Sequence, residues 1–433
     1  MNDLKYKLLL TLAHKDAIRT RVPFLFKHMM VASQRRTLQV AKSLKDKPTI
    51  EVAFLLTIPG MWKLDYLFRL MQQNPKYHPY VVIYPYSQYK GFSHDEVWKT
   101  IKRTEDFIKE RGFEYIIPYD SERKKWLDIK KTNKPDIVFF TTPYRDVLPQ
   151  YYIYNFKDCL TCYVPYAFNA INFYDTLYHI PSVNLFGFYF AETKIHQQYV
   201  RQYGRNGGTR AYAPGYPGTE VYLHSDYVSH DVWKPQPVTK KRIIWAPHHT
   251  IGDSFNTSTF LENCQLMLQL AEKYKDTVQF AFKPHQLLRF KLIDLWGEER
   301  TTQYYNQWAS MDNTQLEEAG YIDLFIHSDA LIHDCGSFTT EYLFLNKPVM
   351  YLQKEDNIDD KFNTYGIKAY QQHYHGRNAS DIERFVENVV IKGEDTMKDQ
   401  RRQFFNEYLA PVDGMLPSQY IMNVLESAIN GEL

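Results

Sequence analysis

At 433 residues, 44% hydrophobic and 24% charged, the chain is long enough for two or three globular units and too apolar for a disordered one. A net charge of +2 gives no bulk pull on nucleic acid, and no stretch approaches the roughly 18 apolar residues of a spanning helix. Four Cys suit a reducing compartment, and the lone Cys159-x-x-Cys162 pair reads as buried thiols rather than a zinc site.

In chain order, residues 1–47 come first, with eleven Lys and Arg against three Asp. Leu4, Leu8 and Leu12 recur at helical spacing, and Phe24, Leu25, Phe26, Met29 and Met30 follow Pro23. This predicts a basic amphipathic helical segment suited to an anionic membrane surface, with packing on the next domain as the competing use. No nucleic-acid motif accompanies the charge, so no nucleic-acid partner is expected. His14-Lys15 cuts short the apolar stretch Leu8 to Ala13, which argues against a signal peptide and for a cytoplasmic protein.

A first Rossmann-like domain is expected over 48–225. Its strands are read at Ile50 to Thr57, Tyr80 to Tyr84, Asp136 to Phe140, Cys162 to Pro165 and Asn184 to Phe190, with a helix from Trp62 to Gln72. The Gly-, Pro- and Tyr-rich stretch Arg205 to Pro237 contains the crossing to a second domain, 226–395. Helices follow in 396–433, at Asp395 to Tyr408 and Pro417 to Asn430.

In the second domain the strands end in polar residues. Arg242 to Pro247 leads into His248-His249, Thr277 to Phe282 into Lys283-Pro284-His285, and Leu324 to Ile326 into His327-Ser328-Asp329. Ala330 to Ile332 then runs into Asp334-Cys335-Gly336-Ser337 and a helix, and Asn346-Lys347-Pro348 turns into another apolar strand. Helical patterns at Thr259 to Tyr274 and Gln303 to Met311 alternate with them, implying a parallel doubly wound sheet whose ligands bind beyond the strands' carboxyl ends. A small-residue turn opening a helix offers outward N–H groups to an anion, with Ser337 as cap in the simpler reading. Glu341, one turn on, suits ribose hydroxyls.

The segments WAPHH, FKPH, SDALIHDCGSFTTEY and NKPVMYL, with Gly215-Tyr216-Pro217 and Pro59-Gly60-Met61-Trp62-Lys63, resemble the CDP-glycerol glycerophosphotransferases of teichoic-acid-like and capsular polymers. The resemblance covers roughly residues 50 to 390 and is densest at 242–352. It implies an α/β, GT-B-like fold, two facing Rossmann-like domains with the basic helical segment in front. It also implies transfer of glycerol phosphate, or a related alcohol phosphate, from a CDP-activated donor to a membrane-associated, lipid-linked polymer acceptor, with release of CMP. A location on the inner face of the cell membrane follows from the same likeness. The family's turn usually carries two small hydroxyl or aromatic residues after the Asp, where this chain has Cys335 and Gly336.

Such a transfer requires charge stabilisation on the diphosphate, a base for the acceptor hydroxyl and a nucleoside pocket. His249 or His248 is the preferred catalytic candidate and His285 the next, since imidazole titrates near neutrality. Lys283, Ser328, Asp329, Asp334, Ser337, Phe338, Thr339, Thr340 and Glu341 are the donor-side candidates, Asp334 also reading as a turn cap. Met61, Trp62 and Asp65 are the acceptor-side candidates, Trp62 equally as core. No metal and no obligatory cofactor are expected. A nucleotide-sugar transferase or 2-epimerase of GT-B type is one alternative, although Thr250 follows the paired His where epimerases usually carry Arg. A metal-dependent phosphohydrolase is the other; His248, His249, His285, His327 and His333 suffice in number, but no tight ligand spacing is present.

Overall fold

A computed structural model describes residues 23–86, 94–145, 147–252, 256–318, 320–354 and 360–433. The chain divides into two compact units, the first running to Ala167 and including Phe173–Leu223 and Pro411–Leu433, the second comprising Phe168–Asn172 and His224–Ala410.

Strand β1 (Ile50–Leu56) is a nearly unbroken apolar run, as a strand covered on both faces requires. It pairs in parallel with β2 (Tyr77–Ile83) on one side and β6 (Ile137–Phe140) on the other. β3 (Tyr115–Ile116) lies beyond β2, while β7 (Leu160–Tyr163), β8 (Phe188–Phe190) and β9 (Ala211–Tyr212) extend the sheet beyond β6. A separate antiparallel pair, β4 (Tyr119–Asp120) and β5 (Lys125–Trp126), forms a small hairpin.

Helix Pro23–Ser43 belongs to this unit. Its Ser33 hydroxyl donates to Leu185 O at 3.1 Å, Thr37 lies so close to Gly187 that a Cβ there would come within 2.8 Å, and Ala41 is buried. Lys27, Arg35, Lys42 and Lys45 are exposed. Met30, Ala41 and Leu44 are thus buried in the first unit, while these four cations face solvent. Leu4, Leu8 and Leu12 lie outside the described residues. No helix among the described residues is long and apolar enough to cross a membrane.

Helix Pro417–Asn430 buries Ile421, Leu425, Ala428 and Ile429 in the first unit's core, and the Glu220 carboxylate accepts the N–H and hydroxyl of Ser418 at 2.9 and 2.6 Å. Helix Lys398–Phe404 belongs to the second unit, so the residues read together as 396–433 are divided between the two. All four cysteines are free and buried.

In the second unit, β10 (Lys241–Ala246) pairs in parallel with β11 (Val278–Phe282) and with β13 (Ala330–His333). β12 (Thr314–Leu316) flanks β11, and β14 (Val349–Leu352) and β15 (Tyr374–Gly376) follow β13. Trp245 and Phe282 of the central strands pack with Trp308 of helix Glu298–Ser310, ring centroids 5.1 to 5.6 Å apart. The edge strand β12 and the helix Leu288–Trp296 were not anticipated. The strand expected at Leu324 to Ile326 is instead a helix, Ile322–Ile326. Three apolar residues fit either period, and the structure decides by the end: Lys347 Nζ donates to the carbonyls of Phe325, Ile326 and Ser328, a basic cap on a helix C-terminus.

Strand order in this sheet is third, second, first, fourth, fifth, sixth, the doubly wound dinucleotide-binding order, and the first sheet follows it with one strand added. The order reverses between β10 and β13. In sheets of this order ligands bind at that switch point, beyond the carboxyl ends of the strands.

Candidate functional site

Three strands deliver the site. β10 ends at Ala246 and passes into Pro247-His248-His249, and the neighbouring β11 ends at Phe282 and passes into Lys283-Pro284-His285. The pairing of the two strands continues past their ends, since Lys283 N–H donates to Trp245 O and His285 N–H to Pro247 O. That register sets the three imidazoles together. Ring centroids lie 4.3 Å apart for His248 and His249, 4.7 Å for His248 and His285, and 4.2 Å for His249 and His285.

The third strand, β13, ends at His333 and passes into Asp334. Its carboxylate accepts the His248 N–H at 2.5 Å on one oxygen, and the Thr259 N–H and hydroxyl at 2.6 and 2.9 Å on the other. Asp334 thus spans the switch point and supplies the anion at the start of helix Phe260–Lys273, whose own Thr259 makes no side-chain cap. Burial raises the Asp334 carboxyl to about 6, held down in part by those three donors.

Burial and the neighbouring His249 push His248 down to about 3, and burial followed by His248, His249 and Lys283 pushes His285 down further still. Lys283 itself is lowered to about 8 by burial, against the pull of Glu317 and Glu318. His248 and His285 are therefore neutral at neutral pH. The Leu287 N–H donates to His285 Nδ1 at 3.1 Å, so the lone pair of neutral His285 sits on Nδ1 and its Nε2 carries the hydrogen. His285 is a donor toward any ligand at Nε2. Ligand atoms of the three rings lie within 4.8 Å of one another, but a ring whose free nitrogen bears hydrogen does not fit a metal.

The turn after β13 differs from expectation. Its helix is only Phe338–Glu341, continued as a 3₁₀ turn Tyr342–Leu345, so it carries little macrodipole. Ser337 makes no side-chain cap. Its hydroxyl lies 3.4 Å from Cys335 Sγ, and the N–H groups of Ser337 and Phe338 also face that sulfur. Sulfur is a weak acceptor, so these donors remain available to a stronger one. Ser337 and Phe338 are partly exposed, whereas Thr339 and Thr340 are fully buried, the Thr339 hydroxyl donating to Cys335 O. Glu341 is also buried, its carboxylate accepting the Tyr321 hydroxyl, and so is not an open ribose ligand here.

Two donor-side expectations are corrected. Ser328 and Asp329 precede β13 and so lie at its amino end, opposite the edge that carries the three His. Ser328 donates to Phe325 O and meets the Tyr342 hydroxyl, and Asp329 accepts the Arg242 N–H. The cause is the misread strand, which would have put both at a carboxyl end.

On the acceptor side, Met61 and Trp62 are 7% and 4% exposed. Trp62 packs against Phe54, Phe68 and Phe113 at 5.8 to 6.0 Å and is core, which corrects its reading as a contact residue. Asp65 opens helix Asp65–Gln73 and pairs with Arg111 at 3.0 Å.

Sequence reasoning missed Thr259 and Tyr321, and above all the segment 168–172. Asn363 N–H donates to Ala170 O, its side chain to the carbonyls of Asn169 and Ile171, and Asn172 N–H to Lys361 O. Thr257-Ser258-Thr259 before a helix was a legible start signal. Nothing local announces that residues near 170 lie in the second unit.

A family model described as CDP-Glycerol:Poly(glycerophosphate) glycerophosphotransferase matches residues 190–427, more than half of the chain. None of the curated proteins matches it in sequence. Among solved structures, a variant of the wall teichoic acid polymerase TagF is 14% identical, covering 93% of this chain and 98% of that one at a TM-score of 0.56. S. aureus MnaA with UDP is 16% identical over 88% and 97%, at 0.53. UDP-GlcNAc 2-epimerase from Neisseria meningitidis bound to UDP-GlcNAc is 13% identical over 88% and 100%, at 0.52. At such identities these likenesses show the fold, the α/β, GT-B-like class read from the sequence.

Proposed function

The chain belongs to the CDP-glycerol:poly(glycerophosphate) glycerophosphotransferase family and is an enzyme of glycerophosphate transfer, and we propose that it moves glycerol phosphate, or a related alcohol phosphate, from a CDP-activated donor to a hydroxyl of a teichoic-acid-like or capsular polymer. The acceptor oxygen attacks the phosphorus that bears the glycerol, the bond to the bridging oxygen breaks, and the electron pair leaves on CMP. The hydroxyl proton passes to an imidazole of the His248–His249 pair, with His249 preferred.

The observation that carries this reading is the cluster of His248, His249 and His285 at the switch point, kept neutral in His248 and His285 by burial. A neutral imidazole can take a proton, and the negative charge of a bound diphosphate favours its protonated form. His285 Nε2–H donates to a phosphate oxygen, and Lys283 adds positive charge. Ser337 and the N–H groups at 337–338 meet the diphosphate. Such a transfer calls for no obligatory cofactor. The polymer acceptor is taken to be lipid-linked, with the enzyme on the inner membrane face; exposed Lys27, Arg35, Lys42 and Lys45 suit an anionic surface.

The test is CMP release from CDP-glycerol and CDP-ribitol, with conversion of UDP-N-acetylglucosamine followed alongside, each with and without a glycerophosphate-primed lipid. Acceptor-dependent CMP release supports the proposal and identifies the donor. Conversion of the UDP-sugar with neither CDP-alcohol turned over would sink it.

A further inference from the structure

The segment 168–172 is held to the second unit by more bonds than its length requires. Besides the backbone and Asn363 bonds already described, Ile171 forms a bridge to Phe362, and its own N–H donates to Asn169 Oδ1 at 3.1 Å. Gly366 is required beneath it: a Cβ at 366 would come within 2.1 Å of Ala170 O, a backbone atom that cannot yield. The strap is therefore fixed in place.

What it presents is the Ile171 side chain, which lies against Gly336 in the turn after β13. A Cβ at 336 would meet Ile171 Cδ1 at 3.1 Å and Cγ1 at 3.4 Å. The volume that a side chain at 336 would fill is thus occupied by a residue distant in sequence. Gly336 has the greatest intrinsic backbone freedom of any residue in the turn, and the packing of Ile171 restricts it beside the hydrogen bonds of its neighbours. Cys335 is hydrogen-bonded to His333, Ser337, Phe338 and Thr339.

We propose that Ile171 is a positioning residue for the donor: it stands in for a side chain at Gly336, holding the 335–338 backbone so that its N–H groups meet the donor's phosphate. The proposal rests on the reading of that turn as the phosphate contact. It makes Ile171 and Gly336 a compensated pair. A larger residue at 336 is tolerated only when the one at 171 is reduced.

The experiment compares wild type, Ile171→Ala, Ile171→Val, Gly336→Ser and Gly336→Ser with Ile171→Ala. The readouts are steady-state CDP-glycerol turnover and amide hydrogen exchange of the peptide covering 335–338. Ile171→Ala is expected to raise the donor KM about fivefold with kcat within about twofold, and to speed exchange at 335–338, while Ile171→Val stays near wild type. Gly336→Ser is expected to lower kcat/KM about tenfold, with most of that loss recovered when Ile171→Ala is added.

Unchanged KM and exchange in Ile171→Ala, or a double variant as impaired as Gly336→Ser, would overturn the pairing. Should wild type turn over no CDP-alcohol, the functional reading fails by itself. The pair is then judged by exchange alone, faster exchange in Ile171→Ala supporting it and unchanged exchange ending it.

Discussion

The carboxylate of Asp334 accepts the backbone N–H of His248 at 2.5 Å, joining the ends of β13 and β10 across the point where the strand order reverses. The same carboxylate caps the helix that begins after Thr259. One buried acid therefore fixes the loop that carries two of the three imidazoles, and the order of the strands decides that it can reach.

Asp334→Asn keeps the volume but replaces one acceptor by an amide NH₂ facing N–H donors. It is expected to cost about 1–3 kcal/mol of stability. If His248 moves by an ångström, turnover falls about 100-fold. Denaturant unfolding and CMP release measure the two effects. Wild-type turnover with an intact melt would remove Asp334 from the positioning of the site.

The tautomer set by Leu287 separates the roles of the imidazoles. As donor, His285 is replaceable by an amide, so His285→Gln should retain clearly more activity than His285→Ala. His249→Ala, which removes the preferred base, should lower kcat by about 10² to 10⁴. Equal loss in His285→Gln and His285→Ala would assign His285 a proton-transfer role instead.

His333 and His373 form a second, fully buried pair with ring centroids 5.3 Å apart, beside Tyr351 and facing Arg401. Burial holds His333 at about 3, below its ordinary 6.5, and burial with the His333 charge holds His373 well below. In the unfolded chain both bind protons below pH 6.5, and in the folded chain they do not. Their contribution to stability is therefore complete above pH 6.5 and is lost as the pH falls toward the folded values, by up to about 1.4 kcal/mol per pH unit for each group. Urea midpoints between pH 7 and 5 should fall accordingly, and less steeply in His373→Gln. A flat profile would refute the neutral pair.

Trp62 tests core against contact. Trp62→Ala should destabilise by about 3–5 kcal/mol, and Trp62→Phe should keep both fold and acceptor KM. A stable Trp62→Ala variant with a raised acceptor KM would restore the contact reading.

The alternation of strands and helices was legible along the chain, and with it the parallel sheets and the edge on which His248, His249, Lys283, His285 and Asp334 lie. Those signals are local, since a strand buried on both faces must be apolar throughout and the polar residues after it fall at its carboxyl end. Sequence misleads where the local signal is degenerate: Leu324 to Ile326 suits either period, and Ser328 and Asp329 were carried to the wrong edge with it. Which side chains are open to a ligand depends on packing between elements far apart in the chain. Thr339, Thr340, Glu341, Met61 and Trp62 are buried because of what packs on them from elsewhere. The hydrogen on His285 Nε2, the reach of Asp334 to Thr259 and the seating of Ile171 on Gly336 each join residues through space, where no spacing along the chain records the contact.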